Sequence, residues 1–357
     1  MVKNNTQFTK KLISWYLENK RDLPWRKTNE PYRIWLSEII LQQTRVAQGL
    51  PYYESFVSAY PTVEDLAAAS EEEVLKLWQG LGYYSRARNL RIAATFVANE
   101  LNGVFPESYD GLLQLKGVGD YTASAIASIC YGEPAAVVDG NVYRVLSRYF
   151  GIDTAINSTK GIKDFKKLAQ SVLDPDQPGT YNQAIMEFGA RSCVPKSPDC
   201  PSCIFADSCA AFQSGRVGEL PKKLKKTKVK KRFFNYLVYL AEDNTTKLQQ
   251  RKGSGIWQGL YEFPKIEAAK QLSKAELVSE FAANYGAALL DSSEIIRYND
   301  TPVVHKLSHQ HLVTTFWIVR SASIDADRIP VSQVERYPVP ILIGNFIRDF
   351  DGFQSAS

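Results

Sequence analysis

The sequence predicts a multidomain fold, an all-α domain followed by an α+β domain, on three observations. Apolar residues recur at three- and four-residue steps through much of the first two hundred residues. Beyond residue 233 short runs rich in β-branched and aromatic residues, bounded by turn signals, read as strands. Between the two lies a block containing Lys222, Lys223, Lys225, Lys226, Lys228, Lys230, Lys231 and Arg232, with no acidic residue among them. A chain of 357 residues also exceeds what one compact core usually holds. The expected division is 1–214 for the helical domain, 215–232 for a basic linker and 233–357 for the second domain. The linker is either a solvated, extended spacer or a contact for phosphates.

In the first domain helical periodicity runs through 8–17, 34–41, 74–81, 90–97 and 123–130. Before the last of these stands Leu115-Lys116-Gly117-Val118-Gly119-Asp120-Tyr121-Thr122-Ala123, which joins an apolar helix to one starting near Asp120. Two glycines one residue apart form a hairpin, and the amides opening the second helix would face an anion. A plain tight turn reads the same way. About twenty residues later, Val137-Val138-Asp139-Gly140-Asn141-Val142 places Asp139 at the entrance of a helix, where an aspartate commonly caps the first turn. In the second domain 234–240 and 312–319 read as strands and 274–285 as a helix.

The net charge of +5 points only weakly to a polyanionic partner. No basic head followed by an apolar run and a cleavage site opens the chain, and no stretch approaches the roughly 20 apolar residues that span a bilayer. The expectation is a cytoplasmic protein without a membrane partner, nucleoid-associated if bacterial. Five cysteines are too sparse for a disulfide framework. Four of them, Cys193, Cys200, Cys203 and Cys209, are separated by six, two and five residues. Such a set suits an iron–sulfur cluster; zinc also accepts four thiolates, although a zinc ribbon more often carries two Cys-x2-Cys pairs. Cys130, in an apolar helical run, reads as core.

All three histidines, His305, His309 and His311, lie in the second domain, so acid–base work in the first falls to carboxylates, or less readily to Tyr, Lys or Cys. Glu38 interrupts an apolar helix and shares a face with Ile34, Trp35, Leu41 and Gln42. Burial there would raise its pKa; pairing with Arg45 is the plainer alternative.

Several long motifs agree in order and spacing with one family. They are Leu23-Pro24-Trp25-Arg26, Trp35-Leu36-Ser37-Glu38 running into Leu41-Gln42-Gln43-Thr44, and Gly80-Leu81-Gly82-Tyr83-Tyr84-Ser85-Arg86-Ala87-Arg88-Asn89-Leu90, together with the hairpin, Asp139 and the cysteine spacing. Over residues 8–210, and more loosely beyond, the chain resembles the adenine DNA glycosylases of the MutY type, in the helix-hairpin-helix, endonuclease III superfamily. The resemblance implies excision of adenine mispaired with 8-oxoguanine or guanine in duplex DNA, as a monomer in base-excision repair, with other repair proteins as further partners. It assigns one [4Fe-4S] cluster to the four cysteines, a phosphate grip to Gly117 and Gly119, the general acid to Glu38, and the ionised carboxylate beside the sugar to Asp139, with Asn141 orienting Asp139 or a water. Tyr121 stands where strand-cutting relatives carry a Schiff-base lysine, which implies a monofunctional enzyme in which Tyr121 helps to position Asp139 or the sugar.

The resemblance further gives Trp25 and Arg26 to the wall of the adenine pocket, where a tryptophan packed in the helical core reads identically, and Gln43 and Tyr83 to the residues that enter the duplex beside the base opposite the adenine; taken alone, Tyr83 reads as a core aromatic. Glu187 matches an acid that in some members reaches the active site; a surface ion pair fits it equally. The second domain resembles a Nudix-like module, with Gly255-Ile256-Trp257-Gln258-Gly259-Leu260-Tyr261-Glu262-Phe263-Pro264 leading to a Nudix box that is missing from 265–285. A binding module without hydrolase activity follows. Leu307, Ser308 and His309 match the loop that senses the oxidised guanine, with Leu307 where many members have phenylalanine. The three nearby histidines could instead hold zinc. Two rivals stand beside the glycosylase: a DNA sensor without turnover, and a strand-cutting lyase.

Overall fold

The computed structural model describes residues 2–224, 229–285, 294–322, 324 and 327–354. Its contacts divide the chain into Met1–Ala68 with Asn89–Lys225, and Ala69–Arg88 with Lys226–Ser357.

The first unit is helical. The periodic runs at 8–17, 34–41 and 123–130 lie inside the helices Val2–Asn19, Pro31–Leu41 and Asp120–Tyr131, and the run at 90–97 lies inside Ser85–Glu100. Phe8, Leu12 and Tyr16 on the first of these pack on Val145, Leu146 and Tyr149 of the helix Gly140–Phe150. The Phe8 ring lies 4.5 Å from Tyr149 and 4.9 Å from Phe205, which ties both helices to the cysteine loop. Burying one such aromatic side chain stabilises by roughly 1.5–3 kcal/mol.

The helix Pro178–Arg191 is buried along most of its length and packs against the helices that begin at Val2, Asp120 and Gly140. A Cβ at Gly189 would stand 2.7 Å from the Asn141 Cβ, so only glycine permits this approach. Asn182, fully buried, donates to Ser128 Oγ and Ala135 O at 2.8 Å each and accepts from Val137 N at 3.2 Å. One amide thus fixes the extended segment that leads to Asp139.

The second unit is built on a mixed five-stranded sheet. Lys230–Ala241 and Gln310–Ser321 run parallel at its centre, in register from Lys230 opposite Gln310 to Ala241 opposite Ser321. Lys265–Ala268 pairs antiparallel on one side, and Glu294–Arg297 and Val303–Lys306 pair antiparallel on the other. Both predicted strands lie inside the central pair, whose middle residues are buried in succession rather than alternately. Such continuous burial means both faces are covered. Leu237, Tyr239, Trp317 and Val319 meet Leu277 and Phe281 of the helix Lys274–Tyr285. On the opposite face Phe316 stacks on Phe346 of the helix Ile341–Asp349 at 4.2 Å.

The run at 74–81 departs from expectation. Its helix, Glu71–Leu77, opens on a capping box between Ser70 and Glu73 but stops at Leu77. Gly80, Gly82 and Tyr83 then take φ of +97°, +78° and +49°, which no helix accommodates. This stretch packs with residues beyond 226: Lys76 Nζ donates to Glu335 O, Val339 N donates to Gln79 Oε1 at 3.2 Å, and Arg88 Nη1 donates to Gln258 O at 2.7 Å. A reading with one boundary at the basic run does not contain that grouping.

The described ends of the basic run are held. Lys222 O accepts from Ile156 N at 3.0 Å, Leu224 N donates to Asn157 Oδ1 at 2.7 Å, and Lys230, Lys231 and Arg232 are already in a strand. Lys225, Lys226 and Lys228 lie outside the described residues. Among the described residues no helix is long and apolar enough to cross a membrane.

Asn182→Ala is expected to lower the unfolding free energy of the helical unit by about 2–4 kcal/mol, since it leaves the part-buried Ala135 carbonyl and the buried Val137 amide unpaired. Urea unfolding followed by tryptophan fluorescence checks this; a loss below about 1 kcal/mol would contradict the role given to the amide.

Candidate active site

Glu38, Tyr121, Asp139, Asn141 and Glu187 converge on one cavity of about 170 Å³ in the helical unit, walled by Leu23, Trp25, Ile34, Leu41 and Ile129. Glu38 comes from the helix Pro31–Leu41, where neighbours three and four residues away turn the carboxyl inward; it is 8% exposed. Burial raises its pKa to about 7, against a lowering by the Tyr121 hydrogen bond and with a smaller push from Asp139. Pairing with Arg45 does not occur; the positive group acting on Glu38 is Arg26.

Asp139 caps the helix Gly140–Phe150 and faces the same cavity. Its Oδ1 accepts from Asn141 N and Val142 N at 2.8 Å each, and its Oδ2 accepts from Asn141 Nδ2 at 2.7 Å. Burial raises its pKa, and these three donors act against that rise. The capping reading and the pocket reading are therefore both met by one side chain. Asn141 Oδ1 in turn accepts from Arg144 Nη2 at 2.8 Å, and Arg144 Nε donates to Cys193 O at 2.6 Å. The Asp139 carboxylate is thereby braced against the cysteine loop.

Tyr121 donates to Met186 Sδ at 3.2 Å, and its hydroxyl lies in the same cavity as Glu38, whose pKa it lowers. Burial and the two carboxyls push its pKa well up, so the hydroxyl keeps its proton. Glu187 is buried, not at the surface. It accepts from Arg21 Nε at 2.7 Å, Arg21 Nη2 at 2.5 Å and Arg26 Nη2 at 2.8 Å. Burial alone would raise its pKa, but the two arginines outweigh it and hold the carboxyl at about 2. A group so acidic is a fixed anion near neutral pH and anchors Arg26 in the cavity wall. Trp25 lines the cavity and packs edge-on against Tyr53 at 5.0 Å, satisfying the pocket and core readings together.

The hairpin and Gln43 border a wider opening that shares Glu38, Tyr121, Asp139 and Asn141 with the cavity. Gly117 has φ +83°, and a Cβ there would meet Asn89 Cβ at 2.8 Å. Gly119 is extended and faces open space at the start of the helix Asp120–Tyr131. Gln43, exposed on the rim, has φ +56°. A non-glycine residue in this conformation costs on the order of 1–3 kcal/mol, and Tyr83 carries the same strain.

Cys193, Cys200, Cys203 and Cys209 line a single apolar pocket together with Arg148, whose Nη1 donates to Cys193 Sγ at 3.4 Å. Among the described residues no three His, Cys, Asp or Glu side chains are grouped as one metal ion would need. Cys130 is apart from the four and half-buried.

In the second unit Leu307, Ser308 and His309 form the tip between the strands Val303–Lys306 and Gln310–Ser321. They line a pocket with Tyr83, and the Tyr83 and Ser308 hydroxyls are 2.6 Å apart. His305 instead packs on Trp257. In the stretch where a Nudix box would lie, Glu267 pairs with Arg232 and Glu276 with Lys270.

Sequence reasoning passed over Arg21, Arg144 and Met186. Arg144 had a signal, lying three residues after Asn141 on one helix face. Arg21 and Met186 had none, because their partners are far away in the chain.

Residues 36–171 match the family model of the HhH-GPD superfamily base excision DNA repair proteins, and residues 235–349 match that of the NUDIX domain. The chain is 47% identical over 228 residues to the adenine DNA glycosylase of Rattus norvegicus and 48% identical over 217 residues to that of Homo sapiens. These matches cover 60% and 58% of this chain but 44% and 40% of those proteins, so the chain spans less than half their length. The adenine DNA glycosylase of Buchnera aphidicola subsp. Baizongia pistaciae is 32% identical over 316 residues, 87% of this chain and 86% of that one. Among solved structures, a thermostable thymine-DNA glycosylase aligns with a TM-score of 0.55 at 30% identity, over 59% of this chain and 98% of its own. Endonuclease III trapped as a covalent intermediate with DNA aligns at 0.53 and 22% identity over 60% of this chain and 99% of its own, a likeness of fold. With both domain models in order and a relative covered nearly end to end, this chain belongs to the adenine DNA glycosylase family.

Proposed function

We propose that this protein hydrolyses the N-glycosidic bond of adenine mispaired with 8-oxoguanine or guanine in duplex DNA and leaves an abasic site. The observation that carries the reading is the difference between two carboxyls in one cavity: Glu38 with a pKa near 7, and Asp139 held by three donors that favour its anion. Protonated Glu38 donates to the ring nitrogen at position 7 of a flipped adenine and makes the base a better leaving group. As the bond from N9 to the sugar lengthens, positive charge grows at the anomeric carbon, and the Asp139 anion stabilises it most in the transition state. Water then adds to that carbon, and its proton returns to the bulk or to Glu38. Tyr121 offers no amine for a Schiff base; its phenol, kept protonated by burial, shares the cavity with Glu38 and Asp139.

Adenine as the base is supported by the relatives' names and by Arg26 and Trp25 in the cavity wall. The solved neighbour named for thymine shows that the helical fold alone does not set the base. For 8-oxoguanine the support is the loop Leu307–His309 beside Tyr83, with Gln43 and Tyr83 entering the duplex in place of the flipped base. Leu307 can wedge there but cannot stack as an aromatic would.

The four cysteines fit a [4Fe-4S] cluster: they ring one pocket with apolar walls, an arginine faces them, and no three close on a single ion. When bound, the cluster supplies a cross-link that orders the loop 193–209. The loop's Cys193 carbonyl holds Arg144, and through it Asn141 and Asp139.

Glu38→Gln should reduce single-turnover excision by at least about a thousandfold while duplex affinity stays within about threefold, because the amide cannot give up a proton. Full excision by that variant would end the acid assignment. In the wild type the rate should fall as pH rises through about 7, the pKa of Glu38, by about tenfold per unit beyond it. A labelled duplex with adenine opposite 8-oxoguanine should break only after alkali; breaks without alkali, or a borohydride-trapped adduct, would favour the lyase, and mispair affinity without release of adenine would favour the sensor. Iron analysis of the purified protein should return about four iron atoms per chain, falling on Cys200→Ser; zinc at one per chain would replace the cluster.

A further inference from the structure

We infer that Arg86 is a positioning residue that holds Tyr83 in its left-handed conformation, with the ring outward for entry into a duplex. The inference rests on the reading above that Tyr83 enters DNA. Three of the four residues 80–83 have positive φ, and at Gly80 and Gly82 this is free of steric cost. At Tyr83 it is not, and the ring is nonetheless 49% exposed. Something must therefore hold the turn other than burial of the tyrosine itself.

Arg86 is 7% exposed and sits beneath that turn. Its Nη2 donates to Gly82 O at 3.0 Å and to Leu81 O at 3.5 Å, and its backbone N–H donates to Tyr83 O at 2.9 Å. The guanidinium lies over the buried Trp78 ring at 4.9 Å and over the Tyr83 ring at 5.7 Å. Trp78 Nε1 donates to the same Gly82 carbonyl at 3.0 Å. The carbonyls that precede Tyr83 are thus fixed by a flat cation between one buried ring and one exposed ring. Only a planar, many-donor group meets two carbonyls and two ring faces at once; a lysine ammonium does not. Burial lowers the Arg86 pKa to about 10, which leaves it charged at neutral pH.

The test uses the full-length chain in four forms besides wild type: Tyr83→Ala, Arg86→Met, Arg86→Lys and Tyr83→Ala with Arg86→Met. Affinity is measured for a duplex carrying the uncleavable 2′-fluoro analogue of deoxyadenosine opposite 8-oxoguanine. Tyr83→Ala should weaken binding by about tenfold, the scale of one lost stacking contact, and each Arg86 variant by a comparable factor. The double variant should bind no more weakly than Tyr83→Ala alone, within about twofold. A residue that merely stabilised the fold would add its loss on top of the tyrosine's. Arg86→Lys keeps the buried charge and guards against a misfolded Arg86→Met. Wild-type affinity in both Arg86 variants, or losses that multiply in the double variant, would overturn the inference. Wild-type affinity in Tyr83→Ala would instead remove the reading of Tyr83 on which it rests.

Discussion

Carboxyls sharing a small cavity within a helical core cannot all be ionised without partners, and the arrangement of the helical unit follows from that constraint. Glu187 receives two arginines and a full negative charge. Asp139 receives three N–H donors and, among the described residues, no side-chain cation in direct contact. Glu38 receives a phenol and apolar walls, and its pKa rises to about 7. One fold therefore presents three acids in three different electrostatic environments, set by what each is given to bond with.

The donors come from segments far apart in the chain, which is why the helix Pro178–Arg191 matters out of proportion to its chemistry. Gly189 lets it close on Asn141, Asn182 pins the extended segment before Asp139, and Glu187 takes the arginines from the loop near Trp25. Loosening any of these contacts would shift a carboxyl relative to its partners rather than remove it. The cysteine loop joins the same framework through Arg144.

Much of the helical unit was legible because its signals are local. Periodicity marks 34–41 and 123–130 as helices, and Glu38 falls within residues 34–40, which are buried without interruption; the place of Tyr121 in the site came from the family resemblance. The capping geometry of Asp139 and Asn141 spans three residues and reads the same way. What was not legible depends on distant partners. Nothing near Glu187 in sequence announces Arg21 and Arg26, more than 160 positions away. The end of the helix at Leu77 was missed because hydrophobic spacing continued past it while Gly80 and Gly82 broke the backbone. The affiliation of 69–88 with residues after 226 was hidden for the same reason as the clamp on Glu187: carbonyl acceptors such as Glu335 O and Gln258 O carry no sequence signature.

That affiliation bears on biosynthesis. A ribosome delivers Ala69–Arg88 early, yet Lys76, Gln79 and Arg88 bond to residues at 335, 339 and 258, and the central parallel strands pair residues 80 positions apart. Contacts of such long sequence separation form late. While the chain grows, Trp78, Val74 and Leu75, all buried in the finished molecule, are without their final packing for most of translation. The segment Ala69–Arg88, with its apolar Val74, Leu75 and Trp78, therefore waits for the remaining chain, and that interval is one of exposure to aggregation in which a chaperone has most to do.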